Sequence, residues 1–224
     1  MRRPLRRPRG FTLIELLVAI AVMAIMAGLD WRGLDAMLRT RTQVQTYSEQ
    51  LQALQIGLAQ WSADLDALLP LPNTPALDWD GRALRLTRRN VNDSGLLVVA
   101  WTRRADNGGQ WLRWQSAPLQ SRGDLQDAWL RAAQWAQNPS TADRQQEVAV
   151  LPLAQWQVFY YRADAWTNPL SSANAAAPAA SAAATPDSAL PDGVRLILTL
   201  PDNYAVSGSL TRDWVRLATA GAKP

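Results

Sequence analysis

The sequence predicts an α+β protein: a long N-terminal helix, membrane-spanning in its first half, whose second half packs on antiparallel β-sheet in a C-terminal domain. Three observations predict it. Phe11 to Leu29 is an apolar run interrupted by one charge, Glu15. From Leu34 to Leu68, apolar residues recur at helical spacing: Leu34, Leu38, Val44, Tyr47, Leu51, Leu54, Leu58, Trp61, Leu65 and Leu68. From Ala83 onward, short runs rich in Val, Leu, Trp and Tyr alternate with turn residues.

The apolar run comes first. A helix of its length spans roughly 28 Å, close to the thickness of a bilayer core. The ten residues ahead of it hold Arg2, Arg3, Arg6, Arg7 and Arg9 and no acid. The formal net charge is +4, so the remainder of the chain carries −1. The high isoelectric point therefore belongs to the leader and not to a nucleic-acid surface. A basic leader before an apolar helix keeps residues 1–10 on the cytoplasmic side and sends the remainder across. A cleaved secretory signal is the alternative, but its apolar region is shorter and carries no acid.

The helical pattern continues with polar faces built from Arg39, Arg41, Gln43, Gln45, Glu49, Gln52 and Gln60, and ends before Pro70 and Pro72. Gly28, Gly33 and Gly57 are candidate bends. The strands expected beyond it are Ala83–Thr87, Leu96–Arg103, Gln110–Ser116, Val148–Leu151, Gln155–Arg162, Val194–Leu200 and Trp214–Ala218. Asn107-Gly108-Gly109 reads as a hairpin turn. A short helix, Asp124–Gln137, has Leu125, Ala128, Trp129, Ala132 and Trp135 or Ala136 on one face and Asp124 as its N-cap. Residues 171–188 are rich in Ala, Ser and Pro and read as a surface loop. The expected organisation is a leader over 1–10, a transmembrane helix over 11–29, its continuation over 30–69 and a β-rich domain over 70–224.

The chemistry available is narrow. The chain has no Cys and no His, which excludes Cys or His nucleophile–base pairs and His- or Cys-ligated zinc. Its one lysine, Lys223, lies next to the C-terminus. Asp78-Trp79-Asp80-Gly81 lacks the further oxygen ligands of a calcium loop and reads as a turn, as does Asp202-Asn203. Arg82, Arg85, Arg88, Arg89, Arg103 and Arg104, interleaved with Trp101, Trp111 and Trp114, could stack and hold a nucleic acid. The same alternation is the ordinary pattern of a half-buried strand, and Asp78, Asp80, Asp93 and Asp106 dilute the charge. No enzyme activity, cofactor or metal is expected.

Arg9-Gly10-Phe11-Thr12-Leu13-Ile14-Glu15-Leu16, with the apolar run behind it, resembles the N-terminus of type IV prepilins and of type II secretion pseudopilins. The resemblance implies cleavage by a prepilin peptidase between Gly10 and Phe11, N-methylation of Phe11, and an inner-membrane anchor with a periplasmic domain. It also gives Glu15 a task in assembly. A carboxylate inside packed apolar helices is costly without a partner, and the free amine of cleaved Phe11 is one. Such a pair would fix axial register. A second reading places Glu15 near the interface, reaching headgroup level.

Arg32-Gly33-Leu34-Asp35-Ala36-Met37-Leu38-Arg39, the helix to Trp61-Ser62-Ala63-Asp64-Leu65, and Ala83-Leu84-Arg85-Leu86-Thr87-Arg88-Arg89 look like the J-type minor pseudopilin. The family's turn after that strand is replaced here by Asn90-Val91-Asn92-Asp93, and beyond it the likeness is one of layout. The J-type resemblance implies I-type and K-type minor pseudopilin partners in a tip complex, other pseudopilins, and passage of secreted protein substrates. A type IV pilus or competence minor pilin, and a tip module binding DNA or a surface, are the other readings.

Overall fold

The computed structural model describes residues 11–72, 74–90, 95–162, 164–171 and 190–216. The leader, most of the 171–188 loop, residues 217–218 of the last expected strand and Lys223 lie outside the described residues. The chain divides into two compact units, Met1–Ser48 and Glu49–Pro224.

In the first unit, helix α1 (Leu13–Asp66) begins. Every described residue up to Glu49 is exposed, including the apolar ones. The stripe through Leu34, Leu38, Val44 and Tyr47 meets nothing within its own unit.

In the second unit, the same apolar stripe is buried. Leu54, Trp61 and Leu65 of α1 enter the core, with Leu58 packed against it. Gly57 is expected above as a bend. Its local role is close approach, since a Cβ there would stand 2.5 Å from Val150 Cγ1. The helix stops at Asp66, three residues before the expected end, and an isolated bridge from Leu68 to Arg88 follows.

Two antiparallel sheets follow. The first has the order β1-β2-β3-β4-β5, built from β1 (Leu77–Trp79), β2 (Ala83–Arg89), β3 (Leu96–Arg104), β4 (Gln110–Gln115) and β5 (Glu147–Pro152). The second has the order β7-β6-β8-β9, from β6 (Gln155–Arg162), β7 (Ala165–Thr167), β8 (Gly193–Leu200) and β9 (Gly208–Val215). Helix α2 (Arg122–Gln137) covers one face of the first sheet. There Ala83, Val98, Ala100, Leu112 and Trp114 meet Leu125, Ala128, Ala132 and Trp135. The other face, with Leu84, Leu86, Val99, Trp101 and Trp111, meets the end of α1 and the inner residues Val158, Val194, Leu196 and Leu198 of the second sheet. The first sheet is thus buried on both sides, which is why its strands read as near-continuous apolar runs.

Turn chemistry accounts for the connections. Asp80 Oδ1 accepts the N–H groups of Arg82 (2.9 Å) and Ala83 (2.7 Å), and Gly81 takes φ 86°, closing β1 onto β2. The expected hairpin at Asn107-Gly108-Gly109 is present, through a single 3₁₀ turn, Asp106–Gly108. Gly109 has φ 100°, and a side chain there would overlap the Leu153 carbonyl oxygen.

Several expectations are corrected. The N-cap of α2 is Ser121, not Asp124. Asp124 is the third helical residue and completes a capping box, its Oδ2 accepting the Ser121 N–H at 2.9 Å. These hydrogen bonds, first the one from the Gln120 N–H, hold the Asp124 carboxyl below the usual range. The last strand begins at Gly208 and not Trp214. Strands β1 and β7 and the short helix α3 (Thr141–Gln145) have no counterpart in the sequence reading.

Candidate functional site

The N-terminal segment is built by local bonds. Phe11 is 88% exposed, and α1 starts two residues later. Thr12 donates from its backbone N–H and from its hydroxyl to Glu15 Oε2, each at 2.9 Å. The Glu15 N–H donates back to Thr12 Oγ1 at 3.4 Å. This is a capping box: two helix-end donors are satisfied, and a carboxylate sits at the positive end of the helix dipole. The spacing Thr12-x-x-Glu15 is the sequence signal of this box. Glu15 therefore has a partner inside its own chain. Gly10, the residue before Phe11, lies outside the described residues. Helix α1 is, among the described residues, the one helix long and apolar enough to cross a membrane.

A second carboxylate of the same helix, Asp64, has no counterpart among the residues expected to be functional. Asp64 is fully buried. Its oxygens accept from Arg88, from Arg113 Nε (2.8 Å) and Nη2 (2.9 Å), from Trp101 Nε1 (2.9 Å) and from Gln60 Nε2 (3.0 Å). Both arginine side chains are nearly buried. Two guanidinium groups on one carboxylate, all hydrogen-bonded, fasten the end of α1 to β2, β3 and β4 at one point. The segment at 61–65 and the strand at 83–89 carry the J-type resemblance, and Asp64 and Arg88 join them. No local signal could have paired residues this far apart in sequence.

Arg85, Arg103 and Arg104 of the apparent basic patch are also committed inward, Arg103 Nε donating to the Leu153 carbonyl at 2.9 Å, whereas Arg82 and Arg89 are exposed. Arg85 pairs with Asp78 and lies 3.5 Å from Asp80. Arg104 holds Glu147 through two 2.9 Å bonds. Burial alone would raise the Glu147 carboxyl. Bonds from Arg104 and Trp135 (2.7 Å), with the Arg104 and Arg144 charges, outweigh it and hold the group below its ordinary value. Trp101, Trp111 and Trp114 are fully buried. They pack with one another and with Trp61 and Trp135, the rings of Trp101 and Trp111 being 4.4 Å apart. No stacking platform for bases exists at these positions.

The family model for the prokaryotic N-terminal methylation motif matches residues 5–29. The chain carries a prepilin N-methylation motif. The match takes in Gly10, Phe11 and Glu15, so the capping box lies within the motif. Over 66 residues the chain is 35% identical to type II secretion system protein J of Klebsiella pneumoniae, a stretch covering 30% of this chain and 33% of that relative. The chain thus spans about a third of the length of the relative it matches.

Proposed function

We propose that the protein is a J-type minor pseudopilin of a type II secretion system, anchored in the inner membrane with its C-terminal unit in the periplasm. The observation that carries this is the methylation motif at the head of a helix whose far end is fastened into an α+β domain. The similarity to type II secretion system protein J supports this choice of system. In this reading prepilin peptidase cuts between Gly10 and Phe11 and Phe11 is methylated. The chain then joins I-type and K-type pseudopilins in a tip complex that starts pseudopilus assembly and helps pass folded proteins outward. The role is structural rather than catalytic.

Glu15 supplies register. On assembly its Oε2 exchanges a bond from the Thr12 N–H for the amine of a neighbouring Phe11, so the capping box holds the carboxylate ready in the waiting subunit. Glu15→Ala is expected to leave insertion intact and to abolish incorporation. Normal incorporation of that variant would overturn the register role.

The full chain in detergent, co-expressed with the I-type and K-type proteins of the same genome, tests the assignment by size exclusion with light scattering. A single ternary peak is expected. A chain that ignores both partners would move the reading to a minor pilin of a type IV pilus or competence system.

A further inference from the structure

The two sheets expose four edges, and three are blunted. β1 and β7 have three residues each. β5 ends in Pro152, its ladder with β4 is interrupted by a register shift, and Val150 lies against Gly57 of α1. These are the usual defences of a sheet edge. β9 is neither short nor broken by a register shift, and its charged residues are Arg212 and Asp213. It runs eight residues without proline, lysine or bulge, and six of the eight are exposed.

Its outward bonding groups can be assigned. The Arg216 N–H donates to the Asp192 carbonyl at 2.9 Å, and the β8–β9 register continues that pairing. Even-numbered β9 residues therefore exchange bonds with β8. Ser209, Thr211, Asp213 and Val215 turn N–H and C=O away from the sheet. Among the described residues nothing takes these groups.

The side chains say what kind of strand fits. Asp213 is neutralised by Arg195 through two 2.7 Å bonds, which hold its carboxyl below the usual range. Arg212, at the middle of the edge and exposed, has no ion pair among the described residues. A strand added here meets an unanswered positive charge. A second copy answers it poorly: in the two antiparallel registers of fullest overlap, Arg212 stands opposite Arg212 or opposite Leu210.

We propose that β9 is a docking edge that accepts an extended segment of a partner subunit, carrying a carboxylate opposite Arg212, as a fifth strand of the second sheet. Main-chain bonds to the odd-numbered residues supply the attachment, and the Arg212 charge selects the partner and its register. The partner's identity as an I-type or K-type pseudopilin rests on the assembly reading above. The edge itself does not.

The test places a photo-crosslinking amino acid at Ser209 of the full chain, in cells that also express the I-type and K-type proteins. The expected adduct joins Ser209 to an Asp- or Glu-containing extended segment of one of them. Thr211→Pro removes an outward N–H without touching the β8 ladder and should lower adduct yield about tenfold. Arg212→Glu should lower it about fivefold, with unchanged melting temperature. The same crosslinker at Gln126 on α2 should give none. An adduct to a second copy or within the chain, an adduct indifferent to both variants, or no adduct overturns the proposal. Co-purification with the two partners, measured on the same cells, separates the two ideas. Co-purification without an adduct sinks the edge alone. Loss of co-purification sinks the assembly reading, while a variant-sensitive adduct to a strand of another identified envelope protein would still uphold the edge.

Discussion

Helix α1 holds two carboxylates, Glu15 and Asp64, and they are satisfied in opposite ways. Glu15 sits in a fully exposed stretch and is bonded by Thr12, three residues away. Asp64 is completely buried and is bonded by groups up to 49 residues distant. The first needs only its own helical turn to be complete. The second needs a folded sheet. The helix therefore joins a segment whose structure is local to one whose structure is tertiary, and the apolar stripe common to both does not reveal the change at residue 49.

The strongest way to break this comparison is Asp64→Ala. It leaves two nearly buried guanidinium groups without their anion, and the domain is expected to lose about 3–5 kcal/mol in chemical unfolding. A loss below 1 kcal/mol would mean that the cluster is solvated. Gly57→Val tests the packed length of α1 apart from charge. Its side chain has to displace Val150 and Trp111, and a loss of about 1–3 kcal/mol is expected. Ser121→Ala removes a local cap like that of Thr12 but inside the domain, and about 1 kcal/mol should go.

Acid titration sharpens the picture further. Glu147 has its carboxyl lowered in the fold, so its contribution is present above the ordinary value of 4.5 and fades as pH falls through the lowered native value. Glu147→Gln should flatten that acid limb of the stability curve. Smallest of all, Glu15→Gln should leave the domain's unfolding free energy unchanged within error. A measurable change would show that the two carboxylates are not independent.

Sequence periodicity located α1, α2 and most strands because each buries a regular set of large apolar residues. Where burial is thin, the pattern fails. Gly208-Ser209-Leu210-Thr211-Arg212-Asp213 is an edge strand with one apolar residue, so the strand was expected to start only at Trp214. β1 and β7 are too short to show alternation. At the start of α2, Ser121 and Asp124 both fit a helix N-cap by residue type, and only the reciprocal bonds tell N-cap from third residue. Gly10, Phe11 and Glu15 were legible as a motif, since their chemistry is contiguous. Asp64, Arg88 and Arg113 were not, because an ion cluster drawn from one helix and two strands leaves no spacing to read.

The Asp64 cluster also sets a timetable for biosynthesis. The carboxylate emerges from the ribosome 49 residues before the guanidinium of Arg113, roughly 2–10 s at ordinary translation speeds of 5–20 residues per second. The partners of Asp66 and Gln50 come later still: Trp214 Nε1 and the Tyr204 hydroxyl, each at 2.8 Å, are 148 and 154 residues downstream. Until residue 88 has been made, the Asp64 carboxylate has only Gln60 of its own helix to bond it, and Trp61 lacks the Trp101 and Trp111 rings it packs on. A chain truncated before residue 113 should then be digested by added protease under conditions in which the full chain resists.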